Sequence, residues 1–459
     1  MISFSVGSVR VGRASGESER EINDQVRKDD YRTSSDLSAR NSTFEGRVEA
    51  RDGINFTQVT VLRDVRSSMG SLDASKSRLR EVEVRDGARL VDTFASRVSV
   101  SMGRVVWTNI ETGSPVEEIR ARDGIRLKGV HCSGTVECSM GEITAERVLL
   151  SRVRARDGMV LVQSVAQEAE VSMGGLDIQH DNPDVAVFHR VAARDRMHLQ
   201  GITVVDDVGC SMGKIKTENC RLNRVHARDG MILMNSPANH CDVSMGSLSV
   251  LGRGDKIIYQ QLDAREDITL ESAEVKRSVK SAFGKLIATD CTLAHVEVCK
   301  QATLTRTTAG LVSLKIPESE RGVVTLQDST IEGDLVVEVV KGGGVISFGG
   351  SGTSFGGMAI SITGSTFNIS VGDMSLLSMC AFGISEGSTG IVNGKPYRYE
   401  GGRFISMTPT VSASETPSKV VVEIRGNGII KGSVVFSGGR GEVIVVGEAT
   451  IEGSAKAEA

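Results

Sequence analysis

The sequence predicts an all-β chain wound as a single-stranded parallel β-helix, a β-solenoid with rungs of about 17 residues nested in a four-rung super-repeat of 71 or 72. Three observations predict it. Two glycine-ending tripeptides alternate along the chain at near-constant spacing. Apolar and polar residues alternate on either side of each tripeptide. Glycine is abundant, at 51 residues, while aromatics make up only 4% of the 459 residues.

The first tripeptide is Arg-Asp-Gly, ending at Gly53, Gly87, Gly124, Gly158 and Gly230, with degenerate copies at Arg194-Asp195-Arg196 and Arg265-Glu266-Asp267. The second is Ser-Met-Gly, ending at Gly70, Gly103, Gly141, Gly174, Gly213 and Gly246, with a degenerate form at Ser281-Ala282-Phe283-Gly284. Spacings near 17 recur, with a longer step of 21 or 22 in every fourth rung. Both tripeptides fit one template of alternating apolar and polar residues, a corner and a glycine. They are therefore expected to be the same corner in neighbouring rungs, with glycine supplying a positive φ at no steric cost.

A 34-residue spacing also suits helical hairpin repeats. Stretches such as Val153-Arg154-Ala155-Arg156 have period 2 and no helical period, which decides for strands. Stacking the rungs places Ala50, Ser67, Val84, Val100, Ala121, Cys138, Ala155 and Val171 in one buried column. The extra residues of every fourth rung, as in Thr112-Gly113-Ser114-Pro115 and His180-Asp181-Asn182-Pro183, are polar and turn-forming, and predict a row of loops.

The corner predicts a structural ladder of Asp52, Gly53, Met69, Gly70, Asp86, Gly87, Met102, Gly103, Asp123, Gly124, Met140, Gly141, Asp157 and Gly158. One outward column alternates Arg with Ser, and the next alternates Asp with Met. Like charges directly opposite each other destabilise a sheet, and a neutral rung between them moves them about 10 Å apart, close to one Debye length. The column reads as a periodic charged face for a repetitive partner, or as scaffold in which Asp holds its own turn and Arg is solvated or pairs with it. The scaffold reading is preferred. The Met column reads similarly, as corner packing ahead of a contact stripe.

The mixed charge, 54 basic against 58 acidic residues, gives a net charge of −4 with no basic block, so nucleic acid is not favoured. The first 16 residues lack the apolar core of a secretory signal, and no apolar run is long enough to span a membrane. The eight cysteines form no CxxC pair and sit where other rungs carry small residues, which suits a reducing compartment. A cytoplasmic location is expected, with export by a non-Sec route as the alternative.

Catalysis has little sequence support. The seven His are scattered, and HExxH and P-loop motifs are absent. A catalytic pair is unique, whereas the corner Asp recurs in every second rung. No cofactor and no metal site is expected.

Three regions are expected: a polar N-terminal segment over 1–44, either disordered or a cap in which Ile22 and Val26 share a face of a short helix; the regular solenoid over 45–326; and a Gly-rich continuation over 327–459. Within 386–418, Tyr397, Arg398, Tyr399, Arg403 and Phe404 predict a hairpin with a two-residue turn, a candidate contact site or a decorated insertion. Gly428-Ile429-Ile430-Lys431-Gly432-Ser433-Val434 and Ala449-Thr450-Ile451-Glu452-Gly453 resemble the Ile-x-Gly-x-Val rung of bactofilins and related polymer-forming β-helix proteins. The resemblance covers the C-terminal rungs only. It implies a bacterial, cytoplasmic, right-handed triangular β-helix that assembles end to end. Function is therefore expected to be structural, with self or another protein as partner. The alternatives are a binding module, such as a secreted effector or surface protein, and a glycan-active β-helix enzyme.

Overall fold

The computed structural model describes residues 21–109 and 115–316 and, beyond these, chiefly strand segments between 323 and 451. The chain divides into two compact units, 1–172 and 173–459. Each is a parallel β-solenoid, and the described residues contain no helix. The predicted fold class holds.

In the first unit, strands Leu37–Arg40, Thr43–Phe44 and Val48–Ala50 give a three-sided rung. The predicted inward column is present, in register from Ala50 through Ser67, Val84, Val100, Ala121, Cys138 and Ala155 to Val171. Each member is 5% exposed or less. Beyond the corner, Leu90, Trp107 and Leu127 stack in a second inward column. The Trp107 indole N–H is satisfied by the Thr93 carbonyl at 2.9 Å, so the large ring is buried without an orphaned donor.

Two expectations require correction. Residues 21–44 are not a helical cap: Glu21–Asn23 and Tyr31–Thr33 already pair in parallel with the strands above them. Ile22 is fully buried while Val26 is 67% exposed, so they share no apolar face. The rungs are thus present by Glu21, well before residue 45.

The glycines also do not occupy one column. Gly87 pairs with Ser71 and with Arg104, so Gly70 and Gly103 each lie one residue earlier, within the turn. The Ser-Met-Gly corner is one residue longer than the Arg-Asp-Gly corner. Its glycine is needed for close approach rather than for positive φ. A Cβ on Gly70, Gly103 or Gly141 would collide with the Asp52, Asp86 or Asp123 backbone of the preceding rung. A left-handed φ between 47° and 57° belongs instead to a second bend, at Asp24, Asn41, Gln58, Lys76 and Asp92 in the first unit and at Asn219, Asn235, Ser272, Asp290 and Arg306 in the second.

Just after that bend runs a buried hydroxyl column. Ser77 Oγ donates to the Ser75 carbonyl at 2.8 Å and accepts from the Val59 N–H at 3.1 Å. Thr93 Oγ1 repeats this one rung on, donating to the Val91 carbonyl at 2.9 Å and accepting from the Ser77 N–H at 3.3 Å. In the second unit Ser236 and Thr307 do the same. These hydroxyls satisfy backbone donors that the left-handed bend turns away from the ladder, where an unpaired buried group is costly.

Candidate functional site

The corner is built as two interleaved tripeptides. In the first unit, Met69 N–H bonds to the Arg51 carbonyl and Met102 N–H to the Arg85 carbonyl, which stacks successive corners. The Arg side chain of one rung then reaches back to the Met of the rung before. Arg85, Arg122 and Arg156 place Nη1 at 2.9, 2.9 and 2.7 Å from Sδ of Met69, Met102 and Met140. The second unit repeats the contact between Arg194 and Met173, Arg228 and Met212, and Arg265 and Met245, at 2.9 to 3.0 Å.

All but Arg265, which Glu266 follows, also lie beside their own Asp. Nε is 3.8, 3.7 and 3.5 Å from Asp86, Asp123 and Asp157, ion-pair distances too long for strong hydrogen bonds. The corner Met are 43 to 47% exposed, so they are only half packed. Where Phe283 stands in the Met position, the Arg265 guanidinium lies over its ring at 5.4 Å. Arg265 therefore has a soft partner on either side, Met245 in the preceding rung and Phe283 in the following one. Arg and Met occupy separate columns of the sequence repeat, so their spacing carries no signal of this contact.

The outward face preceding the corner carries a second ladder. In the first unit Arg32, Glu49, Arg66 and Glu83 alternate, then Arg120, Glu137, Arg154 and Glu170. Arg32 and Glu49 lie 2.8 Å apart, and Arg66 and Glu83 2.9 Å. Exposed pairs of this kind contribute at most about 1 kcal/mol each. The alternation chiefly keeps like charges from facing.

Among the described residues, the second unit breaks that rule where Asp242 stands directly opposite Asp263. His226 and His240 flank the pair, at 3.6 Å from Asp242 and 4.0 Å from Asp263. Burial pushes the Asp263 carboxyl up, the Asp242 charge adds to the rise, and the hydrogen bond from Gln261 opposes it. The described residues include no cluster of His, Cys, Asp and Glu suited to a metal.

Six cysteines, Cys132, Cys138, Cys210, Cys220, Cys241 and Cys291, are buried free thiols. Burial pushes all six thiols up, Cys132 to about 11, which disfavours the reactive thiolate. Cys380 and Thr112–Ser114 lie outside the described residues.

The predicted hairpin is present. Lys395–Glu400 runs antiparallel to Arg403–Ser406 with Glu400 opposite Arg403 and Tyr399 opposite Phe404. Arg398 is exposed and engaged by Glu400 at 2.9 Å. Tyr397 is half-buried, while Arg403 and Ile405 are exposed.

A depression lies on the first unit, between the outward face and the corner. It is a trough of about 680 Å³ whose lining includes Arg32, Glu49, Arg51, Arg66, Glu83 and Arg85, with Ser68, Ser99 and Ser101 as its small residues. It coincides with the first rungs of the Arg/Ser column.

No protein-family model, no curated protein and no solved structure matches the chain. No helix among the described residues is long and apolar enough to cross a membrane.

Proposed function

We propose that this chain is a non-catalytic structural solenoid that presents a regularly spaced outer surface and assembles through contacts between copies. The observation that carries the reading is the Arg-to-Met contact, made six times with nearly the same length in the two units. Chemistry needs a unique constellation. Here the residues with chemical potential are spent on the same contact in copy after copy, which suits a scaffold.

The test is assembly of the purified full-length chain, followed by light scattering and electron microscopy across a wide concentration range. Filaments or ordered arrays that grow with concentration support the reading. A strict monomer at every concentration removes self-assembly from it. Substituting Asp123, Asp157 and Asp229 together bears on the enzymatic alternative: loss of a detected glycan-cleaving activity would overturn the non-catalytic reading.

A second reading, a binding module, is favoured by the trough on the first unit.

A further inference from the structure

Arg51 departs from the corner ladder. Arg85, Arg122 and Arg156 each rest on a Met of the preceding rung, and each lies within 3.8 Å of its own Asp. Below Arg51 no Met is available, because the preceding corner reads Thr33-Ser34-Ser35-Asp36. Asp36 is itself committed, accepting the Gly53 N–H at 2.7 Å. Among the described residues the Arg51 guanidinium has no hydrogen-bond or ion-pair partner. It lines the 680 Å³ trough.

Charge and shape restrict what the trough would hold. Its lining carries four Arg and two Glu, so it is cationic but interrupted by acceptors. Arg32 and Arg66 are already paired with Glu49 and Glu83, which leaves Arg51 as the open cation. A guanidinium fork matches a carboxylate with two parallel hydrogen bonds. The hydroxyls of Ser68, Ser99 and Ser101 and the Glu carboxylates suit a ligand that both donates and accepts. The lining contains no aromatic ring, the platform on which unstacked bases are held. A densely charged polyanion would also meet Glu49 and Glu83 at close range. The lining residues belong to five successive rungs, about 19 Å along the stack, which suits an extended chain rather than a small ion.

We propose that the trough binds an acidic oligosaccharide, a polyhydroxylated chain with sparse carboxylates, and that Arg51 receives a carboxylate. This site is independent of whether the chain assembles.

The experiment uses the full-length protein with a fluorescent hyaluronan octasaccharide at low salt, followed by polarisation. Saturable binding is expected, with a maltooctaose of equal length binding far more weakly. Arg51→Ala should weaken binding about tenfold or more, the loss expected for a charge-assisted pair, and Arg51→Lys should restore part of it. Arg228→Ala, at a corner where Met212 and Asp229 already hold the guanidinium, should leave affinity unchanged. Arg51 is exposed, and an unchanged melting curve verifies that its variants fold. Absence of binding, binding indifferent to Arg51→Ala, equal weakening by Arg228→Ala, or tighter binding of an eight-nucleotide oligothymidylate would each overturn the assignment.

Discussion

Arg122 Nη1 lies 2.9 Å from Met102 Sδ, linking an Arg-Asp-Gly corner to the Ser-Met-Gly corner before it. The guanidinium is thereby held over a polarisable atom rather than over another cation, and the neutral rung becomes a partner as well as a spacer. Thioether contacts of this kind contribute modestly. Met102→Leu, which keeps the volume and removes the acceptor, is expected to cost less than about 1.5 kcal/mol in chemical denaturation.

Exposure separates the methionines into two sets. Met69, Met102, Met140, Met173, Met212 and Met245 are 43 to 47% exposed, whereas Met159, Met197 and Met231 are at most 2% exposed. Brief treatment with hydrogen peroxide should convert the first set to sulfoxide while the second stays reduced. Peptide mass spectrometry reads this directly, and oxidation of Met159 at the rate of Met140 would contradict the placement.

The corner glycine makes a sharper prediction. A Cβ on Gly213 would fall on the Asp195 carbonyl oxygen, while one on Gly209 meets nothing within 4 Å. Gly213→Ala is expected to destabilise by about 3 kcal/mol. Gly209→Ala should be neutral or stabilising by up to about 1 kcal/mol. Denaturant midpoints of the two variants provide the comparison.

Thr93 tests the hydroxyl column. Thr93→Val keeps the shape but leaves the buried Ser77 N–H without its acceptor, a loss of about 1–3 kcal/mol. A Thr93→Val melting temperature equal to that of the parent would show that the hydroxyl is dispensable.

Asp263 gives a pH dependence. Its carboxyl is raised in the folded chain, so the folded state binds the proton more tightly than the unfolded state. Its contribution is most favourable below the ordinary aspartate range and is lost as pH rises through the raised value. Asp263→Asn is therefore expected to stabilise the chain at neutral pH, by about 0.2–1 kcal/mol for relief of a like-charge pair, and to give no gain in acid. Denaturation midpoints at both pH values read the sign.

Much of the fold was legible because it depends on periodic side chains. The alternation around Val84 and Val100 carries burial directly, so the inward column follows from counting. The register of Gly70 was not legible, since an added corner residue leaves the mean spacing near 17. The second bend was hidden because Asp24, Asn41, Gln58 and Lys76 share a backbone sign and no side-chain type. Residues 21–44 escaped because they lack both tripeptides while still forming rungs. The trough is visible only in three dimensions, since it depends on what is missing beneath Arg51.

Successive rungs lie side by side in register, with Ser99 opposite Arg120 and Glu137 opposite Arg120 on its other side. The most direct test is oxidative cross-linking of paired cysteine variants in native buffer. Ser99→Cys with Arg120→Cys places adjacent strands within disulfide reach, and Ser99→Cys with Glu137→Cys separates the thiols by two rungs, about 10 Å. The predicted result is rapid intramolecular disulfide formation in the first pair and none in the second. Equal cross-linking of both pairs, or failure of the first in a folded protein, would contradict the stacked arrangement.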